Sequence, residues 1–304
     1  MNHNIELRGI RKSYGDFVAV DDLSLSIPAG TIYGLLGPNG AGKSTTIRML
    51  MDIIAPDRGE VRLFGRTRTP EDQDRIGYLP EERGLYQKMK VVDHLVFLAE
   101  LHGLARHEAR PKIDSWLERV DLADRAKSKV EELSKGMQQK IQLIATVLHE
   151  PDILILDEPF SGLDPINQGL FKDLLAEYRS LGRTILFSTH IMEQAEKLCD
   201  HICLISDGRT VLEGELAAIK RGLRGNTYRL VAGGDVERLA EIDGVASVVG
   251  RDATDGGALR LILGDTVTGS SVLKQLVGFL DVHEFHSEEP DLETIFIKAV
   301  QDAH

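Results

Sequence analysis

The chain has 304 residues, 42% of them apolar and 28% charged, with a formal net charge of -12; that length suits about two soluble domains, each with its own core. No apolar run approaches the ~20 residues needed to span a bilayer, and the start MNHNIELRGI has neither the basic flank nor the apolar stretch of an export signal. A cytoplasmic chain is expected, meeting a membrane only through a partner, and the acidic balance argues against nucleic-acid partners, whose phosphates call for basic surfaces.

From the N-terminus, Ile5-Glu6-Leu7, Phe17 to Val20 and Leu23 to Ile27 read as antiparallel strands separated by turn signals. Tyr14 falls in the turn before Phe17, where an aromatic ring can lie against a flat base; a surface tyrosine in a turn is the plainer reading. Thr31 to Leu36 reads as a short buried strand and Ser44 to Met51 as a helix. Between them lies GPNGAGKST, Gly37 through Thr45. Gly37, four residues, then Gly42-Lys43-Ser44 is the P-loop pattern. Triphosphate oxygens need several backbone N–H groups aimed inward, and a loop that curls so tightly needs glycines. The helix that follows adds the positive end of its dipole. Gly37, Asn39, Gly40, Ala41, Gly42, Lys43, Ser44 and Thr45 are the expected nucleotide contacts. Lys43 brings a mobile cation to the β- and γ-phosphates, and the Ser44 hydroxyl is placed to ligate Mg²⁺.

Between residues 81 and 150 the pattern turns helical and reads as an insertion between strand-rich regions. Leu95, Leu98 and Leu101 form one apolar stripe, and Ile113, Trp116, Leu117 and Val120 another, both expected to face the core. Leu133-Ser134-Lys135-Gly136-Met137 then opens a helix running through Leu148, with Ser134 a plausible cap. Ile153-Leu154-Ile155-Leu156-Asp157-Glu158 is an apolar run without alternation, the mark of a strand buried on both faces of a parallel sheet. Ligands of such sheets gather at the strands' carboxyl ends, where Asp157 fits an acid supporting Mg²⁺. Glu158 is free to take a proton from an attacking water. The strand Thr184 to Ser188 ends at Thr189-His190, and a histidine there can reach the same phosphates. Cys199 and Cys203 flank His201, but the ligands are too few for a structural zinc site, so buried packing is expected.

From about Asn226 the composition shifts: 14 acidic and 7 basic residues lie between Arg224 and His304. The order strand (Thr227 to Val231), helix (Val236 to Ile242), strand (Val245 to Val249), strand (Leu259 to Leu263), helix (Ser271 to Leu280), strand (Val282 to Phe285) fits a ferredoxin-like fold. Asp255-Gly256-Gly257 supplies its hairpin turn. After Pro290 a last helix carries Leu292, Ile295, Phe296 and Ala299 on one face.

Over residues 4 to 220 the order of motifs resembles the ATP-binding subunits of ABC transporters. GPNGAGKST matches their Walker A, ILILDEP their Walker B with its catalytic glutamate, Ser161 to Asp164 their D-loop, and His190 their switch histidine. Tyr14 falls at the adenine-stacking aromatic, and LSKGMQQ stands at the LSGGQ signature, with Lys135 for its first glycine and Met137 for its glutamine. Glu81, in Tyr78-Leu79-Pro80-Glu81, replaces the usual glutamine; its carboxylate can still ligate Mg²⁺. The resemblance implies an α/β P-loop ATPase with an antiparallel β subdomain and a helical insertion (about 85–150) over residues 1–222, and a small α+β ferredoxin-like domain over 223–304. It implies ATP and Mg²⁺ as cofactors, with Ser44, Asp157 and Glu81 at the metal, and Lys43, Glu158 and His190 in catalysis. It also implies an ATP-dependent homodimer in which Ser134 and Gly136 of one copy meet the nucleotide of the other. The partner is an integral-membrane permease that handles the transported substrate, so the chain lies on the inner face of the membrane. The departures and the C-terminal extension are similar to those of ATPases serving separate exporter subunits. A soluble ABC ATPase of a non-transport complex is the alternative.

Overall fold

The structure, a computed structural model, describes residues 3–82, 84–223, 226–234, 236–249, 258–264 and 267–303. In chain order the first region holds β1 (His3–Tyr14), β2 (Phe17–Pro28), β3 (Ile32–Leu36), α1 (Lys43–Leu50), β4 (Arg58–Leu63), β5 (Arg66–Thr67) and β6 (Ile76–Leu79). The helical insertion follows as α2 (Val91–Leu101), α3 (Arg106–Arg119) and α4 (Lys135–Val147). Then come β7 (Ile153–Asp157), α5 (Pro165–Ser180), β8 (Thr184–Thr189), α6 (Met192–Leu198), β9 (His201–Ser206), β10 (Arg209–Glu215) and α7 (Leu216–Gly222). The last region holds β11 (Thr227–Gly233), β12 (Val245–Val249), β13 (Leu259–Leu263), α8 (Gly269–Leu276), β14 (Asp281–Ser287) and α9 (Leu292–Ala303).

A six-stranded sheet in the order β10-β9-β3-β8-β7-β6 is parallel from β9 to β6, with β10 antiparallel at one edge. Strands β3 and β7 are buried at all five positions and β8 at all six, as their unbroken apolar runs require. Polar groups can then leave the sheet only at strand ends, which is what places the site. A second sheet, β2-β1-β4-β5, is antiparallel. The two runs read as separate strands at Phe17 and Leu23 are one strand, β2. The pairing shifts between Ile10↔Leu23 and Lys12↔Val20, where Asp22 adopts φ 54°, so a bulge and not a turn accounts for the break.

The insertion packs around Leu95, Val96, Ile113, Leu117, Ile141 and Ile144. Trp116 is half-buried against this cluster, under the Arg119 guanidinium, whose carbon lies 4.7 Å from the ring centroid. Leu101 departs from the expected stripe: it is the last residue of α2 and is exposed, while Val92 and Ala99 face inward.

The chain divides into two compact units, Met1–Leu216 with Ala299–His304, and Ala217–Lys298; α7 groups with the second unit, ahead of the composition shift. The sheet of the second unit has the order β12-β13-β11-β14, every neighbour antiparallel. In sequence rank that is 2-3-1-4, the strand order of a ferredoxin-like βαββαβ unit. Its first helix is a 3₁₀ segment, Val236–Glu241, in place of the expected α-helix. The expected turn at Asp255-Gly256-Gly257 lies outside the described residues. Leu292 and Ile295 are buried and Phe296 and Ala299 half-buried, as the stripe on α9 implies.

Candidate functional site

The glycine loop leaves β3 and enters α1 through backbone that only glycine fits easily. Gly42, the N-cap of α1, has φ 103°, and a Cβ there would sit 2.5 Å from the Ala19 carbonyl oxygen. Gly40 has φ 84°. Lys43, only 6% exposed, curls back so that Nζ donates to the carbonyls of Gly37 at 2.9 Å and Pro38 at 3.2 Å. Nζ also lies 3.5 Å from Glu158 Oε1. Asn39, Gly40, Gly42, Lys43, Ser44 and Thr45 line a cavity of about 350 Å³ together with Phe17, Ala19, Glu81 and Glu158. Ala41 is buried, and its carbonyl accepts from Gly208 N at 3.1 Å, so it anchors the loop from behind.

Two carboxylates arrive from the end of β7. Asp157 Oδ1 accepts from the Ser188 hydroxyl at 2.5 Å and from Ser44 Oγ at 3.3 Å. Ser188, on the neighbouring strand β8, also receives the Glu158 amide at 3.0 Å, so one hydroxyl fixes both acidic residues. Glu158 takes φ 49°, a left-handed conformation that costs a non-glycine residue about 1–2 kcal/mol. The turn carries its carboxylate to His190, whose Nδ1 lies 3.1 Å from both Oε1 and Oε2. Lys43, Ser44, Asp157, Glu158 and His190 are thus joined in one network. Tyr78, on β6, is pushed up to about 12 by burial first and then by the Asp157 charge.

A second cavity of about 530 Å³ adjoins this network, lined by Glu81, Glu82, Lys135, Gln139, Gln142, Asp157 and Glu158 among others. Glu81 therefore faces both cavities.

Ser134, Gly136 and Asp164 are gathered elsewhere. Ser134 is exposed and caps α4, its Oγ accepting from Met137 N at 3.3 Å. Asp164 caps α5, accepting from the amides of Ile166 and Asn167 at 3.0 Å, and these bonds, led by Asn167, hold its carboxyl below the usual range. A Cβ on Gly136 would lie 3.2 Å from the Asn167 side-chain amide, so the two helix starts adjoin. None of these three residues lines the phosphate cavity. Tyr14 does not line it either; the aromatic that does is Phe17, across the hairpin and paired with Tyr14. Both rings are exposed, and Lys12 Nζ lies 5.9 Å from the Tyr14 centroid.

His201 stacks on Tyr33 with centroids 6.5 Å apart. Cys203 is buried beside Thr210, and its thiol is pushed up to about 12 by burial. These are packing environments. Sequence reasoning passed over Phe17, Ser188, Gln139 and Gln142; a hydroxyl one strand over from Asp157 was the available signal for Ser188.

The ABC transporter family profile matches residues 20–161, and the profile described as ATP-binding protein DrrA1-3-like, C-terminal domain, matches residues 214–300. The chain is similar to the ABC transporter ATP-binding protein YhaQ of Bacillus subtilis, 43% identical over 96% of each chain. It is similar also to the Nod factor export ATP-binding protein I of Paraburkholderia xenovorans, 35% identical over 97% of this chain and 96% of the relative. A solved structure of the ATP-binding subunit of an ABC transporter superposes with a TM-score of 0.68 at 34% identity, covering 73% of this chain and 94% of that one.

Proposed function

Because the chain belongs to the ATP-binding subunits of ABC transporters, a family of ATPases, we propose that it powers export by closing with a second copy of itself on ATP, beneath a separate membrane permease. The observation that carries this reading is the split of the site into two sets. Lys43, Ser44, Asp157, Glu158 and His190 form a phosphate-facing network, whereas Ser134, Gly136 and Asp164 lie at two adjoining helix starts and do not line the phosphate cavity. Each set is half of a nucleotide sandwich, and two copies head to tail supply both halves twice.

In this reading an incoming triphosphate draws Lys43 from Glu158, replacing an internal ion pair with charge-assisted bonds to phosphate. Glu158, released but still held by His190, orients and deprotonates the attacking water. Ser44 Oγ and Asp157 Oδ1 are hard oxygen donors 3.3 Å apart, a donor set that suits Mg²⁺. When bound, that ion would offset charge on the phosphate oxygens, and Glu81, which lines the same cavity as Ser44, would approach it. The permease and its cargo are proposed from the family and from the export named for the Nod factor relatives. No helix among the described residues is long and apolar enough to cross a membrane; the separate permease is proposed from the family.

Glu158→Gln tests the reading, because it keeps the shape while removing the base. ATP turnover is expected to fall at least about 100-fold, within the range of lost general-base catalysis. Sedimentation with saturating Mg–ATP should show a dimer. A protein that stayed monomeric would refute the sandwich. Copurification with a polytopic membrane protein separates transport from the alternative of a soluble, non-transport complex.

A further inference from the structure

Two glutamates of the site sit beside prolines: Pro80 precedes Glu81 and Pro159 follows Glu158. Proline has no N–H, so at these points the main chain can be tied only through its carbonyl. Both carbonyls are taken by α4. Gln142 Nε2 donates to Pro80 O at 3.1 Å and Gln139 Nε2 to Pro159 O at 3.1 Å. Thr146 continues the row, its hydroxyl between Tyr78 O at 3.3 Å and Gln142 O at 2.9 Å. Positions 139, 142 and 146 fall on one helix face, and all three side chains are more than nine-tenths buried.

The tie to Pro80 is needed because of where Glu81 stands in the sheet. β6 is an edge strand, and its last register pair is Leu79 with Leu156, so Glu81 lies two residues beyond the ladder. Gln139 carries a further sign of function: its Oε1 is buried without a partner, on a side chain lining the cavity shared by Glu81, Lys135, Asp157 and Glu158. An unpaired buried acceptor costs stability, so packing alone gives no reason for an amide here. What the amides add is direction.

We infer that Gln142 and Gln139 are positioning residues of the ATPase reaction, fixing Glu81 and Glu158 relative to the helix that Ser134 begins. The inference rests on the reading of the site given above. One rigid face of α4 thereby couples any displacement of its N-terminus to both glutamates.

The test compares Gln142→Leu, Gln142→Glu and Glu158→Gln in the full chain. For Gln142→Leu, kcat is expected to fall about tenfold, the size of one lost buried hydrogen bond, with ATP affinity changed less than twofold and the thermal midpoint nearly kept. Amide exchange in the peptide 78–82 should quicken about tenfold by the same measure. Gln142→Glu adds a signature that mere packing would not produce. Its protonated carboxyl donates to Pro80 O and its carboxylate cannot, so kcat relative to the parent should decline as pH rises from 6 to 9. Unchanged exchange and kcat in Gln142→Leu would overturn the inference, as would a kcat loss that only tracked the unfolded fraction. A parental rate in Glu158→Gln would instead overturn the reading of the site, and the inference with it; a slow Glu158→Gln beside a normal Gln142→Leu overturns the inference alone.

Discussion

The two units bury their sheets by opposite means. In the six-stranded sheet β3, β7 and β8 are buried along their whole length, and the polar groups of the site sit at their carboxyl ends. There Ser44, Asp157, Glu158, Ser188 and His190 have one another as partners. In the C-terminal sheet β13 alternates, with Leu259, Leu261 and Leu263 inward and Arg260 and Ile262 outward. Its charges spread along an open face and pair locally, as Arg260 does with Glu288 and Arg229 with Glu284. A sheet covered on both sides concentrates chemistry at one edge; a sheet covered on one side disperses it.

The largest effect should come from breaking the concentrated edge. Lys43→Ala removes the cation at the centre of the network and leaves Glu158 buried with only His190 beside it. ATP affinity, measured by titration calorimetry, should fall ten- to a hundredfold, from the roughly 1.5–3 kcal/mol of a charged hydrogen bond. Unchanged binding would remove Lys43 from the phosphate site. Comparable in free energy, Leu261→Ala empties a fully buried position of the C-terminal core, at a cost of about 3 kcal/mol. The second unit should then melt earlier in a calorimetric scan while ATP hydrolysis stays within about twofold, because the residues found lining the two cavities of the site all belong to the first unit. Hydrolysis lost in step with that melting would erase the distinction between the units.

How much of this was legible depends on the sequence distance between partners. The glycine loop, the strand ending at Asp157-Glu158 and the cap at Ser134 each carry their chemistry within a few residues, and the structure has the loop, the strand and the cap where spacing put them. The strand order of the C-terminal sheet followed from element order, although its first helix is tighter than periodicity implied. The two glutamines of α4 could not be read in this way. Gln142 finds its acceptor 62 residues away and Gln139 finds its own 20 away, distances at which no local pattern exists. Leu101 misled because helical spacing does not mark where a helix leaves the core. Tyr14 and Phe17 show the limit at a hairpin: the sequence singled out Tyr14, and only the fold shows that Phe17, paired with it, lines the cavity.

The smallest effect sharpens the comparison from inside the first unit, where one polar side chain is buried far from any strand end. His94 on α2 is wholly buried, edge-on to Tyr86 with centroids 5.8 Å apart, and neither ring nitrogen has a hydrogen-bond partner. Burial pushes it down to about 4, against about 6.5 in an unfolded chain. Between those values the unfolded chain binds the proton that the folded one refuses. Stability from this group is therefore complete above pH 6.5 and is lost as pH falls toward 4. By pH 5.5 the loss is about 1.4 kcal/mol. His149, also pushed down to about 4, and His102, lowered by burial, act in the same direction, so the acid limb has several contributors. His94→Leu isolates one of them: urea unfolding at pH 7.5 and 5.5 should show a drop smaller than the parent's by about 1.4 kcal/mol, the other histidines cancelling. At pH 7.5 the variant should be no less stable, since two unpaired nitrogens are replaced by methyl groups. An identical drop in both proteins would mean that His94 is hydrated in solution, and that the first unit tolerates polar groups away from its strand ends as readily as the second.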